Sequence, residues 1–94
     1  MRSRTTKHFR QLLGKLPLHI QKEAVIAYKQ FRIDPDHPGL NFKPIKGQPN
    51  MFSARVTEDY RVIGKRVAPD VIVWEFIGTH TDYIRYIVRR GSGD

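Results

Sequence analysis

The chain has no cysteine, which excludes a disulfide framework and a thiolate metal site and makes the reducing cytoplasm the expected compartment. Its four histidines, His8, His19, His37 and His80, are scattered, with no HExxH or comparable helical pairing, so no metal or other cofactor is expected. Long apolar runs are also missing. A membrane span needs roughly 20 consecutive apolar residues, and the basic N-terminus lacks the apolar stretch of a secretory signal. Repeats and low-complexity tracts are absent as well. Acidic residues are scarce: nine Asp and Glu stand against 17 Lys and Arg, giving a net charge of +8 and a pI near 10.2.

What is present is enough to fold. At 94 residues with 39% hydrophobic and 11% aromatic content, residues 1–94 read as one packed domain, because disordered chains lack aromatic and branched residues. The positive field selects for polyanions without choosing a sequence. It is unevenly placed, with five bases and no acid between Met1 and Leu16, and six bases and two acids between Lys43 and Arg66. No helix pairs a basic face with a broad apolar one, so no membrane partner is expected.

The apolar spacing predicts two helices, a meander of strands and a last helix. Thr5 or Thr6 is placed to cap a helix over Lys7 to Leu13, with Gly14 at its end. Pro17 suits the first turn of a second helix. There Leu16, Ile20, Ala24, Ala27, Tyr28 and Phe31 recur at three- and four-residue steps, until Asp34-Pro35 closes it. Phe52, Ala54 and Val56 alternate with polar residues as a strand with one buried face. Tyr60 to Val67 is its return, and Val71 to Ile77, the most apolar run, is expected to be the central strand. Short turns between these strands imply antiparallel neighbours. Lys43 to Asn50, with Pro44, Gly47 and Pro49, reads as an irregular basic loop, and Arg89 to Asp94 as a fraying tail.

The apolar strand delivers a polar cluster, Thr79, His80, Thr81, Asp82 and Tyr83, at its exit. An imidazole there can exchange a proton near neutral pH.

In order of elements and in residues, the chain resembles toxins of the RelE/ParE superfamily. The similarity runs from about Phe9 to Ile87 and is carried by LPLHIQKEAVIAYKQF, DPDHPGL, FKPIKG, FSARVTEDYRVIG and VIVWEFIGTHTDYIRYI, most specifically by the ARVxxDYRVIG hairpin and the IGTHTDY strand exit. The resemblance implies an α+β domain: two N-terminal helices packed on a small antiparallel sheet, followed by a short C-terminal helix. It also implies a cleft on the sheet and an acidic antitoxin as partner. Ribonuclease members cleave mRNA on the ribosome by attack of a ribose 2′-hydroxyl on the adjacent phosphate. ParE-type members instead inhibit DNA gyrase without an evident catalytic set, and that is the alternative function.

Cleavage needs proton transfer, a fixed cation for the crowded phosphorus and an in-line nucleotide. Arg61 matches the arginine that ribonuclease members carry in this strand, and its planar guanidinium suits phosphate oxygens; otherwise it pairs with a carboxylate such as Glu58 or Glu75. His80 matches the histidine of similar GTHxD strand exits and is the candidate acid or base; otherwise it is a capping histidine. Tyr83 is placed to stack on a base or relay a proton, or else to pack half-buried, with Tyr86 as the substitute tyrosine. Asp82 orients His80 or caps the helix. Arg55 alternates away from the apolar face and, with Lys43, Lys46 and Lys65, is placed to track an RNA backbone. Where the best-studied RelE pattern has two closely spaced lysines, this strand offers Ser53 and Arg55, which moves proton transfer towards His80.

Overall fold

Thr6 opens the first helix by supplying an acceptor that the backbone lacks: it is extended, and its Oγ1 accepts the Phe9 N–H at 3.0 Å, as an N-cap threonine does. Helix α1 then covers Lys7–Gly14, and α2 covers Leu18–Ile33 directly after Pro17. The computed structural model describes residues 1–92. Five strands, β1 (Arg2–Thr5), β2 (Lys43–Pro44), β3 (Met51–Arg55), β4 (Tyr60–Ala68) and β5 (Val71–Thr79), form one sheet in the order β1-β5-β4-β3-β2. Helix α3 follows β5 without a break and covers His80–Ser92. Of the tail expected to fray from Arg89, the helix takes residues through Ser92, and Gly93 and Asp94 lie outside the described residues.

The α+β architecture and the helix positions agree with the sequence reading, while three details differ. Strand β1 pairs parallel with β5, so the sheet is mixed rather than wholly antiparallel. Its sequence, RSRT, has no apolar alternation to betray a strand; the ladder makes it one, with the Arg2 N–H donating to Asp70 O at 2.8 Å and the Thr6 N–H to Trp74 O at 3.0 Å. Strand β5 is interior, but the middle place belongs to β4, because the apolar character of β5 reflects helices on both its faces rather than its rank in the sheet. The loop expected over Lys43 to Asn50 contains the two-residue β2, which pairs with β3 before Gly47 (φ 79°) and Asn50 (φ 62°) turn the chain back.

Both sheet faces are covered. Against α1 and α2 lie Ala54, Val62, Ile72, Trp74 and Ile77, joined by Phe9, Phe31 and Leu40. Phe31 meets Trp74 edge-on at 5.2 Å and Phe42 at 5.0 Å, geometry that suits the opposed charge of ring faces and edges. Against α3 lie Ile45, Met51, Ile63 and Phe76, with Tyr83, Tyr86 and Ile87 packed on them. Full burial of such side chains contributes about 1.5–3 kcal/mol each.

The pairing of β4 with β5 jumps from Ile63↔Phe76 to Gly64↔Trp74, leaving Glu75 as an extra residue. This bulge resets the alternation. Trp74 and Ile77 therefore both enter the core under α1 and α2, while Phe76 packs under α3 and Glu75 bonds Tyr86 of that helix.

Gly64 is the small residue that the bulge requires. A Cβ there would lie 2.6 Å from Trp74 Cε3 and 2.7 Å from Ile72 Cγ2, and neither neighbour is the free end of a flexible chain. Gly64→Ala is expected to destabilise the protein by about 1–3 kcal/mol. Urea unfolding checks this, and an unchanged midpoint would mean that the indole has room to move.

Candidate functional site

The face of the sheet under α3 is apolar at its centre and cationic at one end. Because Ala54 and Val62 point into the opposite core, alternation sends Arg55 and Arg61 to the α3 side, and the register sets them directly across from each other on β3 and β4. Gly78 completes the row on β5. Its missing side chain is what lets α3 start here, since a Cβ would stand 2.8 Å from Phe76 Cζ and 3.1 Å from Asp82 Cβ.

Like charges directly opposite on neighbouring strands destabilise a sheet unless something answers them. Arg61 is partly answered by backbone: its Nη1 donates to the carbonyls of Thr57 (2.7 Å), Glu58 (2.9 Å) and Tyr60 (3.1 Å). No carboxylate is involved, and Glu75 Oε1 instead accepts the Tyr86 hydroxyl at 2.8 Å. The remaining guanidinium nitrogens of Arg61 make no hydrogen bond among the described residues. Arg55 is exposed, with no ion pair or hydrogen bond there. One arginine is thus aimed by the β3–β4 turn, and the other faces solvent.

His80 belongs to the same corner. It is the first residue of α3, exposed, and its N–H donates to Asp59 O at 2.9 Å, so the turn that holds Arg61 also holds the start of this helix. Thr79 caps α3, accepting the Asp82 N–H on Oγ1 at 3.2 Å. That is the role the sequence reading offered to Asp82, whose carboxylate instead sits 4.0 Å from Arg85. Tyr83, one helical turn on from His80, stacks its ring 5.8 Å from the imidazole at an interplanar angle of 26° and is half-buried. Tyr86 lies deeper, with its ring stacked on Phe76 at 4.6 Å and its hydroxyl held by Glu75.

The fold therefore gathers Arg55, Arg61, His80 and Tyr83 around one end of the α3-side face. The lysines spread outward from it. Lys43 pairs with Ser53 on the next strand and Lys46 is exposed in the following loop. Lys65 is four residues along β4 from Arg61, roughly 13 Å at strand spacing, so it would meet a different phosphate. None of Lys43, Lys46 and Lys65 has an ion pair among the described residues. The described residues contain no metal-ligating cluster, and no described helix is long and apolar enough to cross a membrane.

The sequence reading gave Gly78 no role, set Thr79 in the polar cluster without making it the cap, and offered Glu75 to Arg61 rather than to Tyr86. The importance of Gly78 lies in a helix crossing above it, which no local pattern encodes.

No protein-family model matches the sequence, nor does any curated protein. The fold has many solved counterparts. The RelB-RelE antitoxin-toxin complex of Methanococcus jannaschii contains a chain similar at a TM-score of 0.71 and 23% identity, covering 88% of this chain and 96% of that one. The RelBE2 toxin-antitoxin complex of Mycobacterium tuberculosis gives 0.67 and 25%, over 84% and 96%. YafQ from E. coli gives 0.61 and 17%, over 88% and 98%. The fold is that of the RelE-like toxins.

The two arginines should behave differently when removed. Arg61→Ala is expected to cost about 0.5–1.5 kcal/mol, through loss of the bonds that tie the turn, and Arg61→Lys to recover little of it, because the shorter lysine side chain ends one atom short of the Nη1 that makes all three bonds. Arg55→Ala should leave stability within about 0.5 kcal/mol. Thermal unfolding of the three variants decides the matter, and equal losses at both arginines would contradict the different bonding described.

Proposed function

We propose that this chain is the toxin of a type II toxin–antitoxin module and acts as a ribosome-associated endoribonuclease that cleaves mRNA. The observation that carries the reading is the in-register Arg55–Arg61 pair beside His80 and Tyr83. Two facing guanidinium groups, one fixed to a turn and one unanswered, want an anion between them, and an exposed imidazole next to a phosphate site has a use beyond binding. The RelE-like fold supports the toxin role.

In the proposed reaction the ribose 2′-oxygen forms a bond to phosphorus as the P–O5′ bond breaks. The 2′-hydroxyl gives up a proton and the 5′-oxygen gains one, leaving a 2′,3′-cyclic phosphate and a 5′-hydroxyl. His80 serves one of these transfers. Arg61, aimed by three carbonyls, stabilises the charge gathering on the phosphoryl oxygens, and the preformed aim is what makes such a donor effective. Tyr83 stacks on a base and holds the nucleotide in line. Arg55 binds the same phosphate from β3, Lys43, Lys46 and Lys65 track the flanking backbone, and Tyr86, stacked on Phe76 and bonded to Glu75, anchors α3 to the sheet.

A cognate acidic antitoxin completes the reading. Besides the +8 charge, α2 leaves Leu18, Val25, Ile26 and Ile33 exposed, Ile33 at 81% and Leu18 at 66%. At 100° per residue these four share an arc of roughly 100° with Lys22 and Lys29, so α2 does pair basic residues with an exposed apolar face, contrary to the sequence reading, and that face fits an amphipathic segment with acidic flanks. Expressed alone, the chain should arrest growth, and co-expression of the antitoxin should relieve it. Association of the pair should slow as salt rises. Harmless expression of verified protein would count against the toxin role.

His80 separates catalysis from structure. If it moves a proton, His80→Ala should lower single-turnover cleavage by about 100- to 10,000-fold, and His80→Gln should fail almost as badly, since an amide cannot exchange a proton near neutral pH. One limb of the pH–rate profile should vanish with it. Mapping mRNA 5′ ends in expressing cells alongside plasmid supercoiling tests the reaction class. A stable, active His80→Gln protein would remove His80 from the mechanism, and altered supercoiling with intact mRNA would assign the protein to gyrase inhibition.

A further inference from the structure

Away from the α3-side face, at the far edge of the sheet, the chain builds a second cationic cleft of about 340 Å³ between β1 and α2, lined by Arg2, Ser3, Arg4, Tyr28, Arg32 and Val71. Its volume is within the range of small-ligand sites, about 300–1,000 Å³. Three features mark it as more than a gap between elements. Ser3 Oγ is buried and has no hydrogen-bond partner among the described residues, a condition that costs free energy unless something supplies one. Strand β1 is an edge strand whose Arg2 and Thr6 N–H groups turn inward to β5, so alternation along the strand leaves the Ser3 N–H facing outward. Arg32 is held 6.0 Å over the Tyr28 ring, a contact that orients a guanidinium without using its donors. Asp70 answers Arg2 at 3.5 Å, which leaves Arg4 and Arg32 without a carboxylate among the described residues.

A hydroxyl, an outward N–H and two guanidinium groups without a carboxylate give this cleft a surplus of donors and of positive charge, and that suits a phosphate. We infer that this cleft binds a backbone phosphate of RNA, as a site separate from the one that holds the scissile bond. The separation is geometric. Ser3 pairs with Ile72, whose side chain is in the core under α1 and α2, whereas Arg61 is on the opposite face, across from Gly78. Ile72 and Gly78 are six residues apart on β5, roughly 20 Å. One phosphate cannot reach both sites, so an RNA that uses both must pass around the β1 edge or present two segments of a folded structure. The choice of RNA as the source of the phosphate rests on the proposed function; the anion chemistry does not.

The test uses a 2′-O-methyl RNA hairpin, which has no free 2′-hydroxyl to attack and so reports binding without cleavage. Its dissociation constant is measured by fluorescence anisotropy over a range of salt for the wild type, Ser3→Ala, Arg32→Gln and Lys7→Gln; Lys7 is exposed on α1 outside the cleft and loses the same charge as Arg32. Ser3→Ala should weaken binding severalfold while leaving thermal stability unchanged or higher. Arg32→Gln should weaken it more than Lys7→Gln does and lower the slope of log affinity against log salt by about 0.7–0.9, one phosphate contact. Equal effects of Arg32→Gln and Lys7→Gln with none from Ser3→Ala would reduce the cleft to a share of the general positive field and overturn the inference. Inorganic phosphate that shifts the Ser3 and Arg32 resonances, with hairpin affinity unchanged in every variant, would assign the cleft to a small phosphate and overturn the RNA assignment. Because the hairpin cannot be cleaved, loss of the catalytic reading leaves this result standing, and the converse holds for cleavage rates.

Discussion

The extra residue at Glu75 is the constraint on which the rest of the molecule depends. An uninterrupted β5 would alternate strictly, and Trp74 and Ile77 would then point to opposite faces. The bulge brings both into the core that α1 and α2 cover and sends Glu75 and Phe76 in succession towards α3. It also decides the facing of Gly78. With Ile77 directed to the helical pair, Gly78 lies on the α3 side, where only a hydrogen leaves space for the first turn of that helix. Gly64 provides the matching gap on β4 for the indole. Two glycines on neighbouring strands, one on each face, thus let a single strand carry two cores and end in a helix.

The same geometry explains how a strongly basic chain tolerates its charge. Only two ion pairs form among the side chains described, Arg2–Asp70 and Arg85–Asp82, both largely exposed, and exposed pairs contribute roughly 0–1 kcal/mol. Stability rests on the apolar clusters instead, and the cations are answered by other means. Arg61 is answered by carbonyl oxygens, Arg66 by the Phe52 ring 4.7 Å below its guanidinium, and Arg32 by Tyr28. These partners cancel no charge. They position guanidinium groups while leaving the positive potential whole, which is the condition for binding a polyanion rather than for holding a fold together.

Much of this was legible in the sequence, and what was hidden has physical causes. The helices announced themselves through the stripe from Ile20 to Phe31, the proline at Pro17 and the hydroxyl at Thr6. The returning strands showed through alternation at Phe52, Ala54 and Val56 and through the apolar run from Val71. Strand β1 stayed hidden because an edge strand of four residues has one ladder and little buried surface, so RSRT needs no apolar pattern. The bulge stayed hidden because it is a property of two strands together: nothing in VIVWEFIG says where β4 skips a residue. At the site, the strand exit and the YRV arginine were visible as residue types. Their partners were not, since Arg61 binds backbone carbonyls, and carbonyls carry no sequence signature.

The turn between β3 and β4 brings these points together. Thr57, Glu58 and Tyr60 offer their carbonyls to Arg61, and Asp59 offers its own to the N–H of His80. A short loop therefore fixes both the cation and the start of the helix that carries the imidazole, and any displacement of the turn moves them together. Preorganisation of this kind keeps a group on a strand and a group on a helix in constant relation without a direct bond between them. A direct bond from the arginine to a carboxylate would have held it as firmly, but it would have cancelled its charge. Holding it by neutral oxygens keeps the aim and the charge at once, and it leaves the remaining guanidinium donors for whatever anion enters the cleft.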